Sequence, residues 1–199
     1  MLVIGIVGGV ASGKSIVSRL LGDLGALVVD ADRLGHEVLE EPEVIALVRN
    51  TWGNRVLDSC GRVNRAALGR VVFEPSEKGL RDLAVLEEIT HPRISEKLRA
   101  AIERAARQGY SAVVLDAAVM FKAGWDVYCD KLIFVDAPYP DRLARCRDRG
   151  WREEEFRTRE AAQCSLDAKR DRADFVINNS STVDKITEQT KKLWQTLDL

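Results

Sequence analysis

Apolar residues along this chain fall into two alternating patterns. Five short runs are nearly continuous and rich in β-branched residues: 2–7, 26–29, 112–115, 131–135 and 175–177. Runs of this kind predict strands of a parallel sheet buried on both faces. Between runs, apolar residues recur at helical spacing, as in Ile16, Val17, Leu20, Leu21 and Leu24 after Ser12. Gly25 then supplies a helix stop. The runs end on polar residues, among them Asp30, Asp116, Asp136 and Asn178. Strands alternating with helices predict an α/β sandwich, and ligands bind at the carboxyl edge of such a sheet.

Two regions depart from this rhythm. Residues of about 36–108 hold no strong strand and read as several helices, hence a helical insertion. Residues 142–172 read as helical and dense in arginine. No repeat, low-complexity tract or linker divides the chain, and 199 residues suit one domain with an inserted lobe.

Composition adds limits. Apolar residues make up 46% and charged residues 31%, which excludes a disordered chain. A net charge of -1 gives no reason to expect nucleic acid or a membrane as partner. The four cysteines are scattered without a C-x-x-C pair, as reduced thiols of a cytoplasmic protein are. The apolar start is far shorter than the roughly 20 residues that span a bilayer, and it lacks the features of a secretion signal.

The first predicted strand leads into Gly8-Gly9-Val10-Ala11-Ser12-Gly13-Lys14-Ser15, which fits G-x-x-x-x-G-K-[ST]. Glycines in such a loop let backbone N–H groups surround phosphate oxygens, and the following helix presents its positive end. Lysine then reaches the β- and γ-phosphates of ATP and the hydroxyl of Ser15 ligates Mg2+. Position 16 is Ile where a second hydroxyl is often found, a loss of about 0.5–1.5 kcal/mol unless compensated.

Phosphoryl transfer also needs an acceptor-side base and cations for the transferred oxygens. Asp30 and Asp32 lie just past the second strand, and residues two apart on an extended segment point the same way. Asp32 is either the base or the N-cap of a helix from Arg33; Asp30 can meet magnesium through water. Asp116 is either an outer magnesium ligand or a loop cap. Arg142, Arg145 and Arg149 are spaced along one helix face, as cations of a closing segment or as part of a solvated helix. His36 and His91 lack metal-ligand spacing, and Pro92 biases His91 towards an extended or turn conformation.

Val29-Asp30-Ala31-Asp32, Leu86-Glu87-Glu88-Ile89-Thr90-His91-Pro92-Arg93-Ile94 and Ala173-Asp174-Phe175-Val176-Ile177 with Asn179, Gln163 and Lys169 accompany the phosphate loop. Together these segments resemble the dephospho-coenzyme A kinase family nearly end to end. The resemblance implies transfer of the γ-phosphoryl group of ATP to the ribose 3′-hydroxyl of dephospho-CoA. It implies a three-layer P-loop NTPase fold with a parallel sheet, a helical substrate-binding insertion and a helical lid. Its core would be about 1–35, 109–140 and 173–199, its insertion about 36–108 and its lid about 141–172. It implies catalytic roles for Lys14, Asp32 and Arg145, and binding of dephospho-CoA by Asp32 and His91. ATP would be bound by Gly8, Gly9, Val10, Ala11, Ser12, Gly13, Lys14, Ser15 and Ile16 with Arg149, and Asn179 would lie near the adenine. Two segments depart from the family pattern. Ala118-Val119-Met120-Phe121-Lys122 stands where Pro-Leu-Leu-Phe-Glu is usual, and Asn179-Ser180-Ser181 lacks the usual glycine.

Overall fold

The computed structural model describes residues 1–197, so positions 198–199 of the expected core lie outside the described residues. The chain forms two compact units, one of Met1–Ala31 with the chain from Leu98 onward, the other of Asp32–Lys97.

The first unit holds a five-stranded sheet. Its strands are β1 (Leu2–Gly8), β2 (Leu27–Asp30), β3 (Ala112–Asp116), β4 (Lys131–Asp136) and β5 (Phe175–Asn178). All pairings are parallel, in the order β2-β3-β1-β4-β5. Every predicted strand is present, and the later four include their terminal polar residue. The register explains this: Asp30 pairs with Asp116 and Asp136 with Asn178 at one edge of the sheet.

Period-two alternation sends Ile4 and Ile6 of β1 to the face covered by α1 (Lys14–Asp23) and α9 (Val183–Thr196). Val17, Leu21, Ile186 and Leu193 meet them there. A separate cluster joins Val10 to Leu143 and Cys146 of α6 (Tyr139–Asp148) and Phe156 of α7 (Glu153–Ala161). Two carboxylates fix strand starts. Asp130 accepts from the N–H of Val3 at 2.8 Å, and Asp174 accepts from the N–H of Leu132 at 2.8 Å. Burial opposes ionisation of Asp174, but the Leu132 N–H and the Lys131 ammonium outweigh it and hold its carboxyl below the usual range.

The second unit is helical. It contains α2 (Ala31–Val38, all but its first residue), α3 (Pro42–Trp52), α4 (Arg65–Val72) and most of α5 (Glu77–Arg107), which runs on into the first unit. Val44, Val48, Val56, Leu68 and Val72 are buried. Trp52 donates through Nε1 to Asp82, and Glu41 pairs with Lys97 at 3.0 Å.

The structure corrects two local expectations. β2 passes straight into α2, so Asp30 and Asp32 do not share an extended segment and Asp32 is not an N-cap. A carboxylate in the first turn of a helix is stabilised by the helix dipole, which favours this early start. His91 is not extended either, because Pro92 lies inside α5. Side chains engage carbonyls in the turns that proline disturbs. The Thr90 hydroxyl donates to Leu86 at 2.8 Å, and Arg93 donates to Ile89 at 3.0 Å.

Helix α1 ends as its glycine predicts. Ala26 N–H donates to Leu21 and Gly25 N–H to Gly22, with Gly25 at φ 110°. No atom would obstruct a Cβ at Gly25, so a side chain there meets only backbone strain. Gly25→Ala should therefore lower the unfolding free energy by about 1–2 kcal/mol in urea titrations.

Candidate active site

The site is built on the turn between β1 and α1. Ala11 takes a left-handed φ of 56° and Gly13 one of 97°. The conformation costs a residue with a Cβ about 1–2 kcal/mol, so Ala11 must be held there.

What holds it is a series of side chains on the loop carbonyls. Lys169 of α8 (Leu166–Asp171) donates to Gly8 at 3.1 Å. Lys14 donates to Gly9 at 3.4 Å, and the Ser12 N–H donates to the same oxygen at 3.2 Å. Arg142 donates to Val10 at 3.4 Å. Arg145 donates to Ala11 at 3.2 Å and Ser12 at 3.3 Å. The Asn179 amide also donates to Ser12, at 2.7 Å. A trans peptide carries its N–H opposite its C=O. A tethered carbonyl therefore turns the next N–H away from its tether, which is the backbone arrangement an anion-binding loop needs.

The tethers are themselves fixed. Arg142 is 3% exposed, donates to Ala137 at 3.1 Å and pairs with Glu160 of α7. Arg145 reaches the Asn179 carbonyl at 2.9 Å, and the Asn179 N–H donates to Asp136 at 2.7 Å. Space is tight as a result. A Cβ at Gly9 would lie 2.6 Å from Arg142, and one at Gly13 would lie 2.0 Å from the Asn179 amide nitrogen.

The carboxylate side is separate. Asp116 accepts from the Ser18 hydroxyl of α1 at 2.7 Å and stands opposite Asp30 in the sheet. Burial pushes the Asp116 carboxyl up; the Ser18 bond and the Lys14 charge oppose this, while Asp30 adds to it. The Ser12 hydroxyl is 1% exposed and lacks a hydrogen-bond partner among the described residues. Ser15 is exposed at the start of α1. Ile16 packs against the main core, so apolar contact replaces the hydroxyl bond its position often makes.

The structure thus brings Gly8 to Ser15, Arg145 and Asn179 together, with Asp30 and Asp116 paired nearby in sequence register. Arg149 caps the end of α6, is exposed, and makes no hydrogen bond to the loop among the described residues. Asp32 and His91 belong to the second unit. Sequence reasoning did not assign Ser18, Arg142, Gln163 or Lys169 to the loop. Arg142, Gln163 and Lys169 stood out only by arginine spacing or family pattern, whereas Ser18 carried a signal of its own: it is a polar residue on the buried face of α1, one turn after Lys14.

Known proteins match this chain across both units. The family description "Dephospho-CoA kinase" matches residues 2–185. A curated dephospho-CoA kinase of Corynebacterium diphtheriae is 39% identical over 198 residues, covering 98% of this chain and 96% of that protein. A Thermus thermophilus protein of known structure aligns with a TM-score of 0.80 at 31% identity, covering 98% of this chain and 97% of the other. A dephospho-CoA kinase from Campylobacter jejuni shares the fold, with a TM-score of 0.65 at 21% identity over 98% of this chain and 96% of its own.

The tightness at Gly13 is testable. Gly13→Ala adds both a collision with Asn179 and a strained φ, and should weaken ADP binding by at least about tenfold, near 1.4 kcal/mol. Adding Asn179→Ala removes the collision but not the strain, so in calorimetry the double variant should lose clearly less affinity than the product of the two single losses.

Proposed function

The chain belongs to the dephospho-CoA kinase family, and from that premise we propose that it transfers the γ-phosphoryl group of ATP to the 3′-hydroxyl of the ribose of dephospho-CoA, giving CoA and ADP. The observation that carries this reading is the phosphate loop. It keeps Lys14 and Ser15, and its carbonyls are tied by Lys169, Arg142, Arg145 and Asn179, in a chain matched to the family over residues 2–185.

In the reaction, the acceptor oxygen forms a bond to the γ-phosphorus while the bond from that phosphorus to the β–γ bridging oxygen breaks. The hydroxyl proton passes to Asp32, the acceptor-side base. Loop N–H groups and Lys14 hold the β- and γ-phosphates. The present Lys14 bond to Gly9 is long at 3.4 Å, and a phosphate oxygen would displace it because a charged acceptor is stronger. Arg145, held on the Ala11 and Ser12 carbonyls, would add positive charge to the loop as the transferring oxygens gather negative charge. The Ser12 hydroxyl, which has no hydrogen-bond partner among the described residues, fits a loop made for an oxyanion. Ser15 would hold magnesium, with Asp30 or Asp116 acting through water. The ion would draw charge from the β- and γ-oxygens.

Residues of about 36–108 are proposed as the acceptor-binding insertion, with His91 on the substrate side, and about 141–172 as the lid, with Arg149 a further ATP contact. Asn179 acts on the loop through its side chain and would place the adenine beside its own segment. No helix among the described residues is long and apolar enough to cross a membrane, and the proposed location is the cytoplasm.

One observation favours a different acceptor on this scaffold: Lys122 stands where the family usually has glutamate. ADP release measured with dephospho-CoA against nucleoside monophosphates and sugars decides between them. Dephospho-CoA should be preferred and the new phosphate found at the 3′ position. A sugar or nucleotide preferred by orders of magnitude would overturn the assignment. Asp32→Asn should lower turnover by roughly 10²–10⁴ and leave ADP affinity nearly unchanged. Unchanged turnover would remove Asp32 from the mechanism.

A further inference from the structure

Lys169 occupies an unusual position among the groups that hold the loop. Its side chain is 3% exposed. Its ammonium donates to two neutral oxygens, the Gly8 carbonyl at 3.1 Å and Gln163 Oε1 at 2.7 Å. No carboxylate bonds to it among the described residues. Lys14 on α1 and Arg142 on α6 face it with like charge, Glu160 on α7 faces it with the opposite sign, and the Cys164 thiol also lies near it. An arginine keeps its charge in proteins, whereas a buried lysine readily gives up its proton.

We propose that Lys169 is a proton-linked positioning residue of the phosphate loop, taking up a proton as anionic phosphate enters and so strengthening its hold on the Gly8 carbonyl. A neutral amine can still donate to both oxygens, but the ammonium does so more strongly. Phosphate oxygens in the loop bring negative charge towards Lys14 and Lys169 and favour the charged form. Burial first, and the Lys14 charge second, lower the Lys169 ammonium to about 8. Proton exchange on binding therefore falls in an accessible pH range. Lys169 acts through the loop backbone, not on the transferred group. The inference rests on the functional reading only in requiring that the loop bind nucleotide phosphate.

The linkage has a definite sign. Just below the ligand-free value, and above the last ionisation of ADP, Lys169 is already charged and ADP affinity should be flat with pH. Above it, binding requires a proton from solution, so affinity should fall as pH rises, by up to about tenfold per pH unit. ADP itself is fully ionised there, since its last phosphate proton leaves near pH 6 to 7. Calorimetry of ADP with the intact protein at pH 8.5, in buffers of different ionisation enthalpy, should show uptake of roughly half a proton or more per ADP. Lys169→Arg keeps the charge without titrating, so it should bind ADP with that uptake lost and its pH dependence flattened. Gln163→Glu places a carboxylate against an unchanged Lys169 and should move the fall in affinity to higher pH, which keeps the test decisive if Lys169→Arg folds poorly. ADP binding without proton uptake in the wild type would overturn the proposal. So would uptake in Lys169→Arg equal to wild type, or a Gln163→Glu profile that does not move. Absence of ADP binding by the wild type would contradict the functional reading itself.

Discussion

The active loop depends on one kind of interaction, the capture of its carbonyl oxygens by side chains from distant parts of the chain. Gly8, Val10, Ala11 and Ser12 are bound by donors that lie more than a hundred residues further on. The loop sequence permits its conformation but does not by itself enforce it. Ala11 in particular takes a φ that glycine would adopt without strain. Tethering the carbonyls on one side orients N–H groups on the other, and the preference of the loop for an anion follows from that.

The same tethers join the loop to the rest of the first unit. Arg142 links Val10 to Glu160 of α7, while the Phe156 ring lies under its guanidinium at 5.4 Å. Lys169 links Gly8 to Gln163, and Asn179 links Ser12 to the end of β5. Lys14, Arg142, Arg145 and Lys169 thus gather at one turn. Part of their repulsion is offset by Glu160, and the tri- or diphosphate of a nucleotide would offset more. The core contributes the fixed frame. α1 is packed through Val17 and Leu21, and Ile16 adds apolar contact where a hydroxyl is often found.

Strands were legible because a parallel sheet buried on both faces must be written in continuous apolar runs, as in residues 112–115 and 131–135. The phosphate loop was legible because its chemistry demands particular residues at fixed spacing. The bonds of Arg142 and Lys169 to the loop were not, because the Val10 and Gly8 carbonyls they hold leave no mark in the sequence. Asp32 and His91 were read in the wrong local conformation. In both cases a helix continued where the residue preference pointed elsewhere: β2 runs directly into α2, and α5 carries Pro92 within it. The residues of the family motif in 173–179 divide in meaning once the fold is known. Asp174 sets the β4–β5 register, and Asn179 holds the loop.

Because Arg145 and Asn179 act on the same Ser12 carbonyl, and on each other, the claim that loop geometry is imposed from outside can be tested by a double-mutant cycle on ADP affinity. Arg145→Met and Asn179→Ala should each weaken binding by about tenfold. The double variant should lose clearly less than the product of the two, since Arg145 also holds the Asn179 carbonyl and side-chain oxygen and either change therefore loosens the other residue's hold on the shared carbonyl. Unchanged affinity in both single variants, or losses that simply multiply, would contradict the account.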